Sequence, residues 1–448
     1  MRQEILGSDG VMLKIFRFKN SYSYRDWSEL NLSAELKRDS FDIDGNPMPK
    51  DSELHSTVRN RIKNGRLGIL PVAAIYGKNA SGKTRLLRTL QDVANDALGN
   101  SFADTKAFSN LSPYGQIIKK RRFETLGDEL LPLSYFVCVV LKIGEDNLVE
   151  FALEYTLESD GVTYEKVKRR SLAANEAETL YERKGSRCVQ GSDIIVNHHI
   201  ELLEAAGVKH LWFPSIAKSH SELEFFFEWF RFVRDGITFN NVSRQSQRFE
   251  ELAERISQHG ENDEVFRKEI LQFLQGLDES VTNIEGEKQK NGSYVLWIFH
   301  RRKDLEISSL ADYIEHESDG TLQLLELFPK IKKVLAEGMP FICDEFDRNL
   351  HPVAFRKLVD MFNDPEYNDK NAQLIFTAHD TFVLDSDFLR RDEVHIIDKD
   401  SDSVSSIKRL DAKGIRPYPN MEYDFRVGVY GSSPKGILEY GKTEDTSE

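Results

Sequence analysis

Residues 77–84 read Gly-Lys-Asn-Ala-Ser-Gly-Lys-Thr, a complete G-x-x-x-x-G-K-[ST] pattern. In such a loop Gly77 and Gly82 let the backbone curl until its N–H groups, including those of Asn79 and Ser81, point at phosphate oxygens. Lys83 then reaches the β- and γ-phosphates of ATP, and the Thr84 hydroxyl faces Mg²⁺. A bound metal needs a carboxylate from a second strand end, and Phe-Ile-Cys-Asp-Glu at 341–345 supplies one. Asp344 would hold the Mg²⁺ shell, with Glu345 as the general base for an attacking water. Residues 374–380, LIFTAHD, place His379 at another strand end, where it can hold the transferred phosphoryl group or the water. Ser318, Gly320 and Thr321, in the ESDGT stretch 317–321, form either a second anion-seeking turn or a plain capped helix start. The two loops are far apart in sequence and each wants a γ-phosphate, which points to a second copy of the chain for one of them.

These residues need elements to carry them. The apolar run 67–76, LGILPVAAIY, reads as one strand buried on both faces and ending at Gly77. From Lys83 a helix follows, with Leu86, Leu87, Leu90 and Val93 on one face. Strand, helix and strand at 341–343, 354–362 and 374–376 form a parallel unit, with a last strand at 394–397. Residues 11–18, 30–34, 133–143, 148–157 and 163–168 read as strands of an antiparallel lobe, with the basic run 119–122 inside a loop region. The stretch 194–275 turns helical, with helices at 223–234 and 249–274, before strands at 281–287 and 294–300. A helix at 321–335 is expected to kink at Pro329. The fold class is α/β with a parallel core, an antiparallel lobe and a mainly helical insertion. Its divisions are 1–150 for the first part of the core and lobe, 151–280 for the β/helical insertion, 281–434 for the second part of the core, and 435–448 for an acidic, disordered tail.

The chain has 448 residues, 40% of them hydrophobic, which excludes a disordered or low-complexity protein. A formal charge of −14 excludes coating of nucleic acid by charge alone, leaving only local basic patches for that role. Cys138, Cys188 and Cys343 are too scattered for a disulfide framework or a zinc site, as in a reducing cytoplasm. No apolar run reaches the roughly 20 residues that span a bilayer, and the first residues do not form an export signal, so no membrane partner is expected.

The order of these motifs resembles the ATP-binding-cassette ATPases of the SMC and RecF kind. Within them it looks most like the stand-alone ATPases of bacterial abortive-infection and anti-phage systems, of the AbiL and RloA type, and like the ATPase subunit of the PARIS system. The likeness lies in ESDGT at 317–321, DEFDRNLHP at 344–352, TAHD at 377–380 and the C-terminal Gly428-x-Tyr430-Gly431-x-x-Pro434. It covers residues 11–35, 67–95 and 280–434. The resemblance implies a P-loop NTPase with a cassette-type head, an antiparallel β-lobe joined to a RecA-like parallel core. It makes residues 77–84 the Walker A loop and Asp344 with Glu345 the Walker B pair. Residues 318–321 become the signature that meets ATP on a partner protomer, Asp347 the dimer-contacting loop and His379 the switch histidine. It further implies a homodimer or higher homo-oligomer, a separately encoded effector such as a TOPRIM or other nuclease, and a phage trigger protein. The signature lacks the double glycine of transporter cassettes.

Other constellations carry less. Asp398 and Asp400 after a strand match either a TOPRIM-type metal pair or an acidic hairpin turn. His198 and His199 lack metal-ligand spacing. The basic runs 119–122, 166–170 and 300–303 are either solvated faces or grips for a phosphate backbone, so nucleic acid stays open as a ligand. Phe225, Phe226, Phe227, Trp229 and Phe230 crowd one helix, as a thick core or as a partner surface. Two functions stand: a defence ATPase that controls an effector, and a DNA-repair or chromosome-maintenance ATPase that clamps DNA. The absence of long heptads in 150–300 favours the first.

Overall fold

The computed structural model describes residues 10–35, 67–100, 113–122, 131–143, 147–171, 176–191, 203–205, 207, 210–239, 249–258, 260–301, 310–313, 317–381, 384, 388–412, 421–426 and 428–430. His198, His199 and the acidic tail after residue 434 lie outside the described residues.

The centre is a six-stranded sheet in the order Ile237–Phe239, Pro340–Asp344, Gln373–Thr377, Val72–Gly77, Val394–Lys399, Ser405–Arg409. The first five are parallel and the last turns back antiparallel. Successive side chains of a strand point to opposite faces. Accordingly Ala73 and Ile75 enter one apolar cluster, while Val72, Ala74 and Tyr76 enter another. Helix Lys83–Ala97 packs in the first cluster through Leu86, Leu87, Leu90 and Val93, as its periodicity predicts. Helices Asp319–Glu337 and Pro352–Asn363 cover the opposite face. The helix Asp319–Glu337 continues through Pro329.

A seven-stranded antiparallel sheet closes over the first cluster, in the order Arg187–Gly191, Glu176–Lys184, Gly161–Ser171, Asn147–Glu158, Leu133–Ile143, Met12–Lys19, Ser28–Asn31. Gln373 ties the two sheets: its amide donates to the carbonyls of Leu13 at 3.0 Å and Leu70 at 2.9 Å. A three-stranded sheet, Val281–Lys288, Tyr294–His300 and Leu310–Tyr313, adjoins helices Glu250–Ser257 and Glu261–Gln275.

The structure departs from the sequence reading at several places, among them the strand Ile237–Phe239 inside the stretch read as helical. The run 67–76 is two strands, because Pro71 cannot donate to a ladder. Leu67–Ile69 pairs antiparallel with Ser33–Glu35, and only Val72–Gly77 joins the parallel sheet. The stretch 249–274 is two helices, Glu250–Ser257 and Glu261–Gln275, the first followed by extended Gln258 and the second preceded by extended Gly260. The basic residues 119–121 belong to a helix, Pro113–Arg121, seated by buried Ile117, Ile118 and Arg121, and Arg122 follows directly. The boundary after residue 150 falls inside the strand Asn147–Glu158, and the antiparallel sheet runs on to Gly191. Of the crowded aromatics, Phe226, Trp229 and Phe230 are fully buried on helix Ser221–Gly236: Phe226 stacks on Phe230, Trp229 meets Phe230 edge-on, and Phe213 meets Phe226 edge-on. These three therefore belong to the core and offer nothing to a partner.

Candidate functional site

The sheet order sets Pro340–Asp344, Gln373–Thr377 and Val72–Gly77 side by side, so their carboxyl ends finish together. Ligands of parallel α/β sheets gather at such ends. From Gly77 the chain loops to helix Lys83–Ala97, and both loop glycines are dictated by crowding. A Cβ on Gly77 would lie 2.4 Å from the Ile397 carbonyl oxygen. Gly82 has φ 119°, in the region L side chains avoid, and a Cβ there would lie 2.8 Å from Ser405 Oγ and 2.9 Å from Ser23 Oγ. No side chain caps the helix, so its first-turn N–H groups remain available to an anion.

Lys83 is buried, and its ammonium donates to the carbonyls of Gly77 at 2.7 Å and Lys78 at 3.2 Å. Burial pulls its pKa below the usual lysine value, while the carboxylates of Asp344, Asp347 and Glu345 oppose that pull. The Ser81 hydroxyl is buried without a partner. A curled cradle, an open helix start, a buried ammonium and an unsatisfied hydroxyl together fit a polyphosphate.

Across from the loop, the Thr84 hydroxyl donates to Asp344 Oδ2 at 2.7 Å, although the residues are 260 positions apart. Thr377, on the strand between, donates to Asp344 Oδ1 at 2.6 Å and accepts from the Glu345 backbone N–H at 2.8 Å. One hydroxyl thus fixes the Asp344 carboxylate and the residue after it. Glu345 needs that support, since its φ of 50° is unusual for a residue with a side chain. Its half-exposed carboxylate lies 3.2 Å from Arg348 Nη1 and 3.9 Å from His379 Nε2. Asp347 Oδ2 accepts the backbone N–H groups of His379 at 2.7 Å and Asp380 at 2.5 Å. Burial raises the Asp347 pKa, and those two amides act the other way.

The surrounding cleft measures about 1100 Å³ and is lined by residues 78–85, Asp344, Glu345 and His379. It also contains Lys119, Lys120 and Arg122 from helix Pro113–Arg121 and its end, Tyr22, Lys399 at the end of strand Val394–Lys399, and Asp402 from the turn before Ser405–Arg409. That helix is anchored by Arg121, which donates to Asp96 Oδ2 at 2.8 Å and pairs with Asp92 at 3.3 Å, both on helix Lys83–Ala97. The run 119–122 was legible as basic, but its place at this cleft follows from Arg121 turning inward. Thr377 carried no motif of its own.

Ser318, Gly320 and Thr321 do not line this cleft. Ser318 caps helix Asp319–Glu337, its Oγ accepting from the Thr321 N–H at 3.1 Å. Gly320 lies against the segment after Glu345, where a Cβ would come within 2.7 Å of the Asn349 carbonyl oxygen. The capped-helix role is therefore present in the single chain, and an anion role would require a second copy. Asp400 accepts from the N–H groups of Asp402 and Val404, and Asp398 lies 3.9 Å from Lys78 Nζ, so this acidic stretch is a hairpin turn. Among the described residues no cluster of three metal-ligating side chains occurs, and no helix is long and apolar enough to cross a membrane.

Residues 204–385 match the family described as "AAA domain, putative AbiEii toxin, Type IV TA system". That stretch, less than half of the chain, contains Ser318, Asp344, Glu345 and His379 and leaves the loop 77–84 outside. No curated protein matches the chain. Among solved structures, the Smc head domain with a coiled coil and joint from Pyrococcus yayanosii is similar over 94% of this chain and 100% of its own, at 10% identity and a TM-score of 0.41. The sheet order and the geometry of the loop 77–84 are those of a P-loop α/β fold.

Proposed function

We propose that the chain is a Mg²⁺-dependent ATPase, carried above all by the Thr84–Asp344 contact that joins the phosphate loop to the second acidic strand end. Lys83 and the loop N–H groups bind the β- and γ-phosphates, and Thr84 with Asp344 would hold Mg²⁺, which supplies positive charge to the phosphoryl oxygens. Glu345 takes the proton of the attacking water, and His379, beside it, orients that water or the γ-phosphoryl oxygens. Lys119, Lys120 and Arg122 add positive charge along the cleft wall. Phosphate release in Mg²⁺, in chelator, and by Lys83→Ala tests this. Release only by the parent protein with Mg²⁺ supports the assignment, and equal release by Lys83→Ala contradicts it.

At a finer level the ATPase acts as a homodimer or higher homo-oligomer in bacterial anti-phage defence and restrains a separately encoded toxic effector. The oligomer is supported by the exposed Ser318, which does not line its own chain's cleft, and the defence setting by the matched family, described as a putative AbiEii toxin of a type IV TA system. Between residues 150 and 300 the longest described helix is Ser221–Gly236, which gives no support to the long arms of a DNA clamp. Plating of phage on cells carrying the native operon, with the parent chain or Lys83→Ala, tests this level. Protection that needs Lys83 and co-purification of the neighbouring gene product is expected; protection by the chain alone would remove the effector.

A further inference from the structure

The short helix Met421–Arg426 touches two residues that flank the site, Thr381 and Tyr76. Thr381 stands two residues after His379, and its hydroxyl donates to Glu422 Oε1 at 3.1 Å while accepting from Arg426 Nε at 3.1 Å. Arg426 Nη2 closes the triad on Glu422 at 2.6 Å. On the same helix, Phe425 sets its ring edge-on to Tyr76 at 5.7 Å between centroids, and Tyr76 directly precedes the phosphate loop. Buried Met421 and Asp424 seat the helix, Asp424 accepting from the Tyr430 hydroxyl at 3.3 Å. The backbone of 379–381 is therefore held from two sides: Asp347 receives the N–H groups of His379 and Asp380, and Glu422 with Arg426 holds Thr381.

Among the described residues, the His379 ring has only its contact with Glu345. Its side chain is 43% exposed, and its ion-pair contact with Glu345 is 3.9 Å long. The direction of that ring is then set by the backbone below it. We infer that Met421–Arg426 is a positioning element of the nucleotide site, with the Thr381–Glu422–Arg426 triad fixing the loop that presents His379 to Glu345. The catalytic half of this inference rests on the ATPase assignment above; the mechanical half does not. Glu422, Phe425 and Arg426 act through Thr381 and Tyr76 and touch no reacting atom.

Two readouts on Thr381→Val and on the double variant Glu422→Gln, Arg426→Gln separate the halves. In hydrogen exchange without nucleotide, the peptide containing the 379–380 amides should exchange about 5-fold faster than in the parent, the order expected for one lost hydrogen bond. The peptide from helix Lys83–Ala97 should be unchanged. In phosphate release, kcat should fall about 5- to 10-fold with KM for ATP within about twofold, because ground-state binding is untouched. In a His379→Ala background Thr381→Val should add no further loss. Thr381→Ser keeps the hydroxyl and should restore parent values in both assays. Unchanged exchange in both variants overturns the clamp whatever the ATPase activity. A rate loss that persists in full without the His379 ring overturns action through His379. If the parent releases no phosphate, the ATPase assignment fails while the exchange result still decides the clamp.

Discussion

Thr377 shows how the site is assembled residue by residue. Its hydroxyl makes two hydrogen bonds of different sense, one to the Asp344 carboxylate and one from the Glu345 N–H. Thr377→Val keeps the shape and removes both. A buried acceptor and a strained backbone then lose their partner, so we expect a loss of about 1–3 kcal/mol in stability together with slower Mg²⁺-dependent hydrolysis. Denaturant unfolding and phosphate release on the same preparation check the pair of effects, and an unchanged rate would free Asp344 from this support. Lys83→Ala should weaken ATP binding by about 100-fold, the worth of a buried charged hydrogen-bond donor, as read by nucleotide titration. Lys83, Thr84, Asp344 and Glu345 were legible because each sits at a strand end or helix start with a local pattern. Thr377 was not, since a threonine before Ala378 acquires meaning only when the sheet order puts its strand between the other two.

At the scale of elements, short continuous apolar runs marked the strands of the parallel unit and longer apolar stretches those of the antiparallel lobe, and the reading failed where one residue changed the pairing. Pro71 split an apolar run between two sheets, and Arg121 turned a basic stretch into a docked helix. The aromatic cluster at 225–230 was ambiguous in sequence because three-dimensional partners such as Phe213 decide which rings are covered. Two element-level outcomes follow. Ser318→Ala removes the cap of helix Asp319–Glu337 and should lower stability by about 1 kcal/mol, measurable by thermal or denaturant unfolding. Glu393, fully buried ahead of strand Val394–Lys399, has its pKa pushed up to about 8 by burial and by neighbouring Asp392. The folded state thus holds a proton that the unfolded state has lost above the ordinary glutamate value. Its contribution to stability is complete below that value and disappears as pH rises through about 8. Buried His395 runs the other way: with its pKa lowered to about 4, folding gains as pH rises from about 4 towards the ordinary histidine value. The two oppose each other in mildly acid solution, and above neutrality the Glu393 effect remains. Melting temperatures should fall between pH 7 and 8.5 in the parent and fall less in Glu393→Gln; parallel curves would locate the titration elsewhere.

At the scale of the whole molecule, the cleft gathers the phosphate loop, the acidic strand end and a basic helix from one chain, while the exposed Ser318 is not among its lining residues. If that turn completes the site of a second copy, a mixture of Lys83→Ala and Ser318→Arg chains should recover part of the activity that each lacks alone, because one site in each heterodimer is intact. No recovery with mixed dimers shown to form would leave Ser318 as a helix cap only. The central claim is the narrower one, that the strand ends at Gly77 and Asp344 form a hydrolytic ATP site with Glu345 as base. Its most direct measurement is ATP binding and single-turnover hydrolysis by Glu345→Gln beside the parent chain. The amide preserves the shape and cannot take the water's proton, so ATP should remain bound with similar affinity while hydrolysis slows by about 100-fold or more. Hydrolysis by Glu345→Gln at the parent rate would contradict the assignment.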